Sequence, residues 1–150
     1  MSTGRLDCWR EARVTDRRTA IDWAQQIQSL VDDPRYAQAK RITLVCDNLN
    51  THQLGSLYKA FPPEEALRIA NKLELIHTPK HGSWLNMAEC ELSVLSRQAL
   101  TQRSPDPSWI GRQAIAWSYR RNAAQTGIDW HFTPQAARAK LKRLYTKIRE

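Results

Sequence analysis

Large and polar side chains alternate over residues 9–15 (WREARVT), the period-two pattern of a half-buried strand, and the polar run 16–19 ends it. The period then lengthens. Ile21, Ala24, Ile27, Leu30 and Val31 recur at helical spacing and predict an amphipathic helix over 19–31, closed by Asp32-Asp33-Pro34. Residues 41–46 (RITLVC) are a short apolar and β-branched run, the signature of a strand buried on both faces. Residues 54–72 carry Leu54, Leu57, Tyr58 and Phe61 before Pro62-Pro63, and Ala66, Leu67, Ile69 and Ala70 after it, which predicts two short helices broken by the prolines. Residues 73–77 predict a further strand. A loop over 78–83 leads into a helix over 84–100, with Ser83 as N-cap and an apolar stripe of Leu85, Ala88, Leu92, Leu95 and Ala99. A third long helix runs from about 107 to 124 with Trp109, Ile110, Ala114, Ala116 and Trp117, stopped by Gly127. Thr133-Pro134 opens a final helix whose stripe is Ala137, Leu141, Leu144 and Ile148.

Strands alternating with helices predict an α/β fold with a partly parallel sheet. The 150 residues contain no internal repeat and no linker long enough to divide them, so one domain is expected: a core over about 8–100 and a helical part over about 105–150. No apolar run approaches the roughly 20 residues that span a bilayer. Residues 1–10 are charged at Arg5, Asp7 and Arg10 and lack the apolar stretch of a secretory signal. A cytoplasmic protein without a membrane segment is therefore expected. Cys8, Cys46 and Cys90 are odd in number and widely spaced, which fits reduced thiols.

Charge changes this picture for the C-terminal third. The net charge is +8, yet residues 1–100 hold 13 basic and 12 acidic side chains while residues 101–150 hold 10 and 3. A basic region of this kind suits a polyanion, nucleic acid first; the alternative is a soluble basic protein with no such partner. In the last helix Lys140, Arg143 and Lys147 share one face, with Arg138 and Lys142 beside the apolar stripe. Such a face can follow a phosphate backbone, or be an ordinary solvated one.

Two places carry candidate chemistry. Asp47 ends the predicted central strand, where open α/β sheets place functional groups, and Asn48, Asn50 and His52 follow it. The competing reading is a turn and helix cap. On the helix over 84–100, Glu89 and Glu91 flank the apolar stripe on opposite sides, and angle does not choose between them. Glu89 shares its flank with Asn86, Ser93 and Ser96, the oxygen-rich company a hard cation requires, whereas Glu91 lies near Met87 and Gln98. A solvated helix start, with acids favoured by the macrodipole, is the alternative.

Residues 47–52 (DNLNTH) and 78–100 (TPKHGSWLNMAECELSVLSRQAL), with 14–24, 58–66 and 129–145, resemble the mariner-like bacterial insertion-sequence transposases of the DDE endonuclease superfamily. The resemblance covers nearly the whole chain. It implies a ribonuclease H-like fold, a mixed sheet flanked by helices, in which three carboxylates hold two Mg2+ (or Mn2+) ions and DNA is cut and joined. Asp47 matches the second carboxylate position and Glu89 the third, with Asn48, His52 and Asn86 in support. The DNA partners implied are transposon ends and target. Lys80 and His81, in the loop before the helix of Glu89, are expected near DNA together with Arg138, Lys140, Lys142, Arg143 and Lys147.

The family's first carboxylate lies on a strand ahead of the segment matching 14–24, and that strand and the helix-turn-helix that reads element ends have no counterpart here. Asp7 and Asp16 are the aspartates ahead of the first helix, and neither matches the missing position; Asp16 suits a cap or an ion pair with Arg17 or Arg18. The expectation is a fold missing its first strands, with an incomplete site, inactive alone. Exposed strand edges would favour a homodimer. A DNA-binding or assembly module without chemistry is the alternative.

Overall fold

The computed structural model describes residues 1–4, 8–79, 86–103 and 106–140. Among these residues, two strand pairs and six α-helices make up a mixed α/β structure. β1 (Ser2–Gly4) and β2 (Trp9–Glu11) form an antiparallel pair. β3 (Ile42–Cys46) and β4 (Leu73–His77) form a parallel pair, in register from Ile42 opposite Leu73 to Cys46 opposite His77. Among the described residues these pairs do not join, so the single mixed sheet expected from the sequence is replaced by two small ones. The strand expected over 9–15 stops at Glu11 because its partner β1 offers only three pairing positions.

α1 (Ala20–Val31) opens on Thr19, not Asp16: the Thr19 hydroxyl accepts from Asp22 N, and Thr19 N donates to Asp22 Oδ2 at 2.7 Å. This reciprocal cap satisfies two of the backbone donors a helix start leaves over. The buried face of α1 is Trp23, Ala24, Ile27, Leu30 and Val31, and Ile21 lies out in solvent. Trp23 thus takes the core position that the sequence pattern assigns to Ile21. α2 (Leu57–Ala60) and α3 (Pro63–Asn71) are the two proline-separated helices. With α1 and one face of β3–β4 they enclose the first core: Trp23, Ala24, Ile27, Val31, Leu57, Ala66, Ile69 and Leu73.

Among the described residues, helices cover only that one face. Thr43, Val45, Glu74 and Ile76 point away from it and are exposed, with Thr43 Oγ1 donating to Glu74 Oε2 at 3.0 Å. β3 is therefore not buried on both faces as its apolar run suggests. Its alternation, Ile42, Leu44 and Cys46 in, Thr43 and Val45 out, is that of a half-covered sheet.

The second core is Ala12, Leu95, Ala114 and Trp117, built from α4 (Met87–Ala99), α5 (Pro107–Ala123) and the chain after β2. α4 starts three residues later than expected. Asn86, not Ser83, caps it, its side chain accepting from Ala88 N at 3.0 Å. Its buried side is Glu91 and Leu95, whereas Leu92 is exposed, so the helix is rotated away from the predicted stripe. Likewise Ala116 of the expected α5 stripe is exposed. α5 starts on Asp106, which accepts from Trp109 N at 2.7 Å, and ends through Gln125 in the left-handed region (φ 48°) rather than at Gly127. α6 (Pro134–Lys140) follows Thr133, whose hydroxyl accepts from Ala136 N. Leu141, Leu144 and Ile148 lie outside the described residues. No described helix is long and apolar enough to cross a membrane.

Polar clamps tie α1 to α3. Arg68 bonds Glu65 and reaches Asp32 at 2.9 Å, and Gln28 donates to Glu65 at 2.8 Å. Arg68 and Gln28 hold the Glu65 carboxyl at about 2, and Arg35, also stacked 3.6 Å over Trp9, holds Asp33 at about 2. Folded-state values below the ordinary 4.5 and 3.8 mean that these groups stabilise the fold above those values. The contribution is lost as pH falls toward about 2. Asp33→Asn combined with Glu65→Gln is expected to lower the urea midpoint at neutral pH and to converge on the parent protein at pH near 2. A gap that persists unchanged at the acid end would refute this.

Candidate active site

Asp47 follows Cys46, the last residue of β3, and so projects from the C-terminal end of the parallel pair. The ladder continues one step beyond the strands, with Thr78 N donating to Cys46 O at 2.9 Å, which anchors the backbone beside Asp47. Cys46 faces the core; burial and the Asp47 charge push its thiol up to about 11, so it stays protonated at neutral pH and is no ligand for a hard cation. Cys8 and Cys90 are also thiols.

The loop after Asp47 folds back on it. His52 Nδ1 bonds Asp47 Oδ1, the His52 ring stacks on Trp23 with centroids 5.7 Å apart, and His77 Nε2 reaches the His52 carbonyl at 2.7 Å. Ser56 closes the loop from below, its hydroxyl donating to Thr51 O at 2.7 Å. Asp47 and His52 are both part-exposed, whereas Trp23 is buried. Asn48 is exposed beside them. The sequence pattern singles out Asp47 and His52 and misses Trp23 and His77. Trp23 was legible: it stands four and seven positions before Ile27 and Leu30 on the buried face of α1. His77 had no signal beyond ending a strand.

α4 carries both acids weighed for a second site. Glu91 is 2% exposed and is held by Arg10 Nε at 2.7 Å and Arg121 at 3.0 Å. Arg10 in turn bonds Asn122 and the carbonyl of Thr126, and both guanidinium groups lie against the Trp117 ring. Burial pulls the Arg10 guanidinium below its ordinary range and Glu91 opposes that. The Glu91 carboxylate is thus committed to packing. Glu89 is half-buried in the first turn of α4, three residues after the Asn86 cap. The two positions differ by roughly 200° around a helix, so the Glu91 clamp turns Glu89 away from the arginines.

Asp47, Glu89 and the amides of Asn48 and Asn86 are oxygen donors, the class that Mg2+ and Mn2+ take. Among the described residues, no three His, Cys, Asp or Glu side chains gather as a metal site. Of the basic residues expected near DNA, Arg138 and Lys140 lie exposed on α6. Lys80, His81, Lys142, Arg143 and Lys147 lie outside the described residues.

A family model described as DDE superfamily endonuclease matches residues 5–108, more than half of the chain. No curated protein and no solved structure matches. α4 and the loop of Asp47 fall within the matched range, whereas all of α5 beyond its first turn, and α6, fall outside it.

Proposed function

The chain belongs to the DDE superfamily endonucleases, a family that acts on DNA and typically uses divalent metals, and on that premise we propose that it is a ribonuclease H-like catalytic part of a mariner-like insertion-sequence transposase. Asp47 and Glu89 are two of its metal carboxylates. The observation that carries this reading is the setting of Asp47, at the C-terminal end of a parallel strand and gripped by His52. The commitment of Glu91 to Arg10 and Arg121 favours Glu89 for the third carboxylate position. When bound, such Mg2+ or Mn2+ ions, two as the resemblance implies, would supply charge stabilisation for phosphoryl transfer. The work of this chain is to present oxygen donors in fixed directions. Asn48 and Asn86 flank them, and the basic residues of the C-terminal part follow the DNA backbone. The cytoplasm, at the nucleoid, is the proposed location. The strand edges of β3 and β4 left unpaired among the described residues favour a homodimer.

Two carboxylates hold such ions loosely, and positioning is most of what the site contributes. The chain alone is therefore proposed to bind metal weakly and to cut DNA little or not at all. The 10 basic against 3 acidic side chains of residues 101–150 favour a second reading, a DNA-binding or assembly module without chemistry. Mn2+ titration followed by NMR line broadening separates them. Broadening centred on residues 47–52 and 86–90, lost in Asp47→Asn or Glu89→Gln, is the expected result. Broadening that ignores both residues would sink the metal assignment. Mg2+-dependent nicking by the purified chain, abolished by Asp47→Ala, would overturn the proposed inactivity.

A further inference from the structure

Asp47 stands at the end of a strand, where a carboxylate is free to rotate unless something outside the strand restrains it. The restraint is His52, and His52 is itself held twice. Its ring lies on the buried face of Trp23 at an interplanar angle of 24°, and its carbonyl accepts from His77. His77 is the residue of β4 opposite Cys46, the immediate neighbour of Asp47. One residue therefore touches both ends of the loop, pairing through its backbone next to Asp47 and gripping His52 through its ring.

The chemistry of these contacts fixes the protons. A carbonyl oxygen only accepts, so His77 Nε2 carries a hydrogen. A carboxylate at neutral pH only accepts, so His52 Nδ1 carries one and donates it to Asp47 Oδ1. That bond occupies Oδ1 and leaves Oδ2 as the acceptor directed elsewhere. We infer that Trp23 and His77 are positioning residues that fix the direction of the Asp47 carboxylate through His52. Such supporting partners fix the tautomer and orientation of ligand side chains. The functional meaning of the arrangement rests on Asp47 being a metal carboxylate; the arrangement itself does not.

The test needs no variant to begin. A long-range proton–nitrogen correlation of the 15N-labelled chain, without metal, reads which ring nitrogen of each histidine is protonated. The expected result is opposite tautomers, Nδ1–H for His52 and Nε2–H for His77. Finding His77 as Nδ1–H, or His52 as an averaged mixture, overturns the inference. His77→Leu is then expected to lose the single-tautomer pattern of His52, and His77→Gln, which keeps an N–H at similar reach, to restore it. Trp23→Phe is expected to retain the ring-current shift of the His52 protons and Trp23→Leu to lose it; equal spectra from the two would contradict the stacking role. Should His77→Leu fail to fold, the parent spectrum still decides. Mn2+ alone, added afterwards, separates the two levels. Correct tautomers without broadening at Asp47 leave the positioning intact and end the metal assignment, and the reverse result does the opposite.

Discussion

Glu91→Ala is expected to cost about 3–5 kcal/mol, because it strands the Arg10 guanidinium in the protein interior without its counter-charge. Arg10 and Glu91 are both about 2% exposed, so water cannot replace the lost carboxylate. Against a typical total of about 5–15 kcal/mol for a domain, this is a large share of the stability. Glu91→Gln keeps acceptor capacity and is expected to cost less. Replacing the pair together, Arg10→Met with Glu91→Leu, is expected to recover part of the loss, since an apolar pair of similar volume removes the two most buried charges but leaves Arg121 without its carboxylate. Urea unfolding of the three variants measures the order. A cost below about 1 kcal/mol for Glu91→Ala, the range of an exposed pair, would show the network to be solvated. The substitution also tests the site, because the same clamp sets the rotation of α4 and hence the direction of Glu89.

That clamp explains why α4 was the helix least legible from its sequence. A hydrophobic stripe through Leu92 and Leu95 treats every charged residue as solvent-facing, so Glu91 is assigned to a flank. Its partners come from β2 and α5, far away in the chain, and periodicity within one helix carries no information about them. α1, by contrast, was legible because five buried positions repeat on one face and Thr19 and Asp22 form its cap locally. β3 and β4 were placed correctly, but which face helices cover depends on packing rather than on the run itself. β1 offered nothing to read: Ser-Thr-Gly is three residues with no pattern, and it is a strand only because β2 pairs with it.

The same division runs through the candidate site. Asp47 and His52 stand in one short stretch of chain, and their spacing carries the contact between them. Trp23 and His77 come from α1 and β4, and only folding brings them to the loop. Local spacing identified the group proposed to do chemistry, whereas the groups that hold it still are assembled across the first core.

Leu57→Ala, the second large effect expected, reaches that core from beneath the loop. Leu57 is fully buried at the start of α2, directly after the turn that carries Ser56 and its bond to Thr51. Truncating a buried leucine costs about 2–5 kcal/mol, and the cost rises with how little the surroundings collapse. Collapse is resisted here because Arg68, Glu65, Asp32 and Gln28 fix α1 against α3 on the outside. The upper half of the range is therefore expected. Leu57→Met, which conserves volume, should cost less than about 1.5 kcal/mol. The two cores share no buried residue, so the loss should also be uneven. Amide exchange is expected to quicken in α1, α3, β3 and β4 by more than in α5. A uniform loss of protection would mean that both cores unfold as one unit, in which case the Asp47 loop could not loosen while Glu91 and its arginines stay in place.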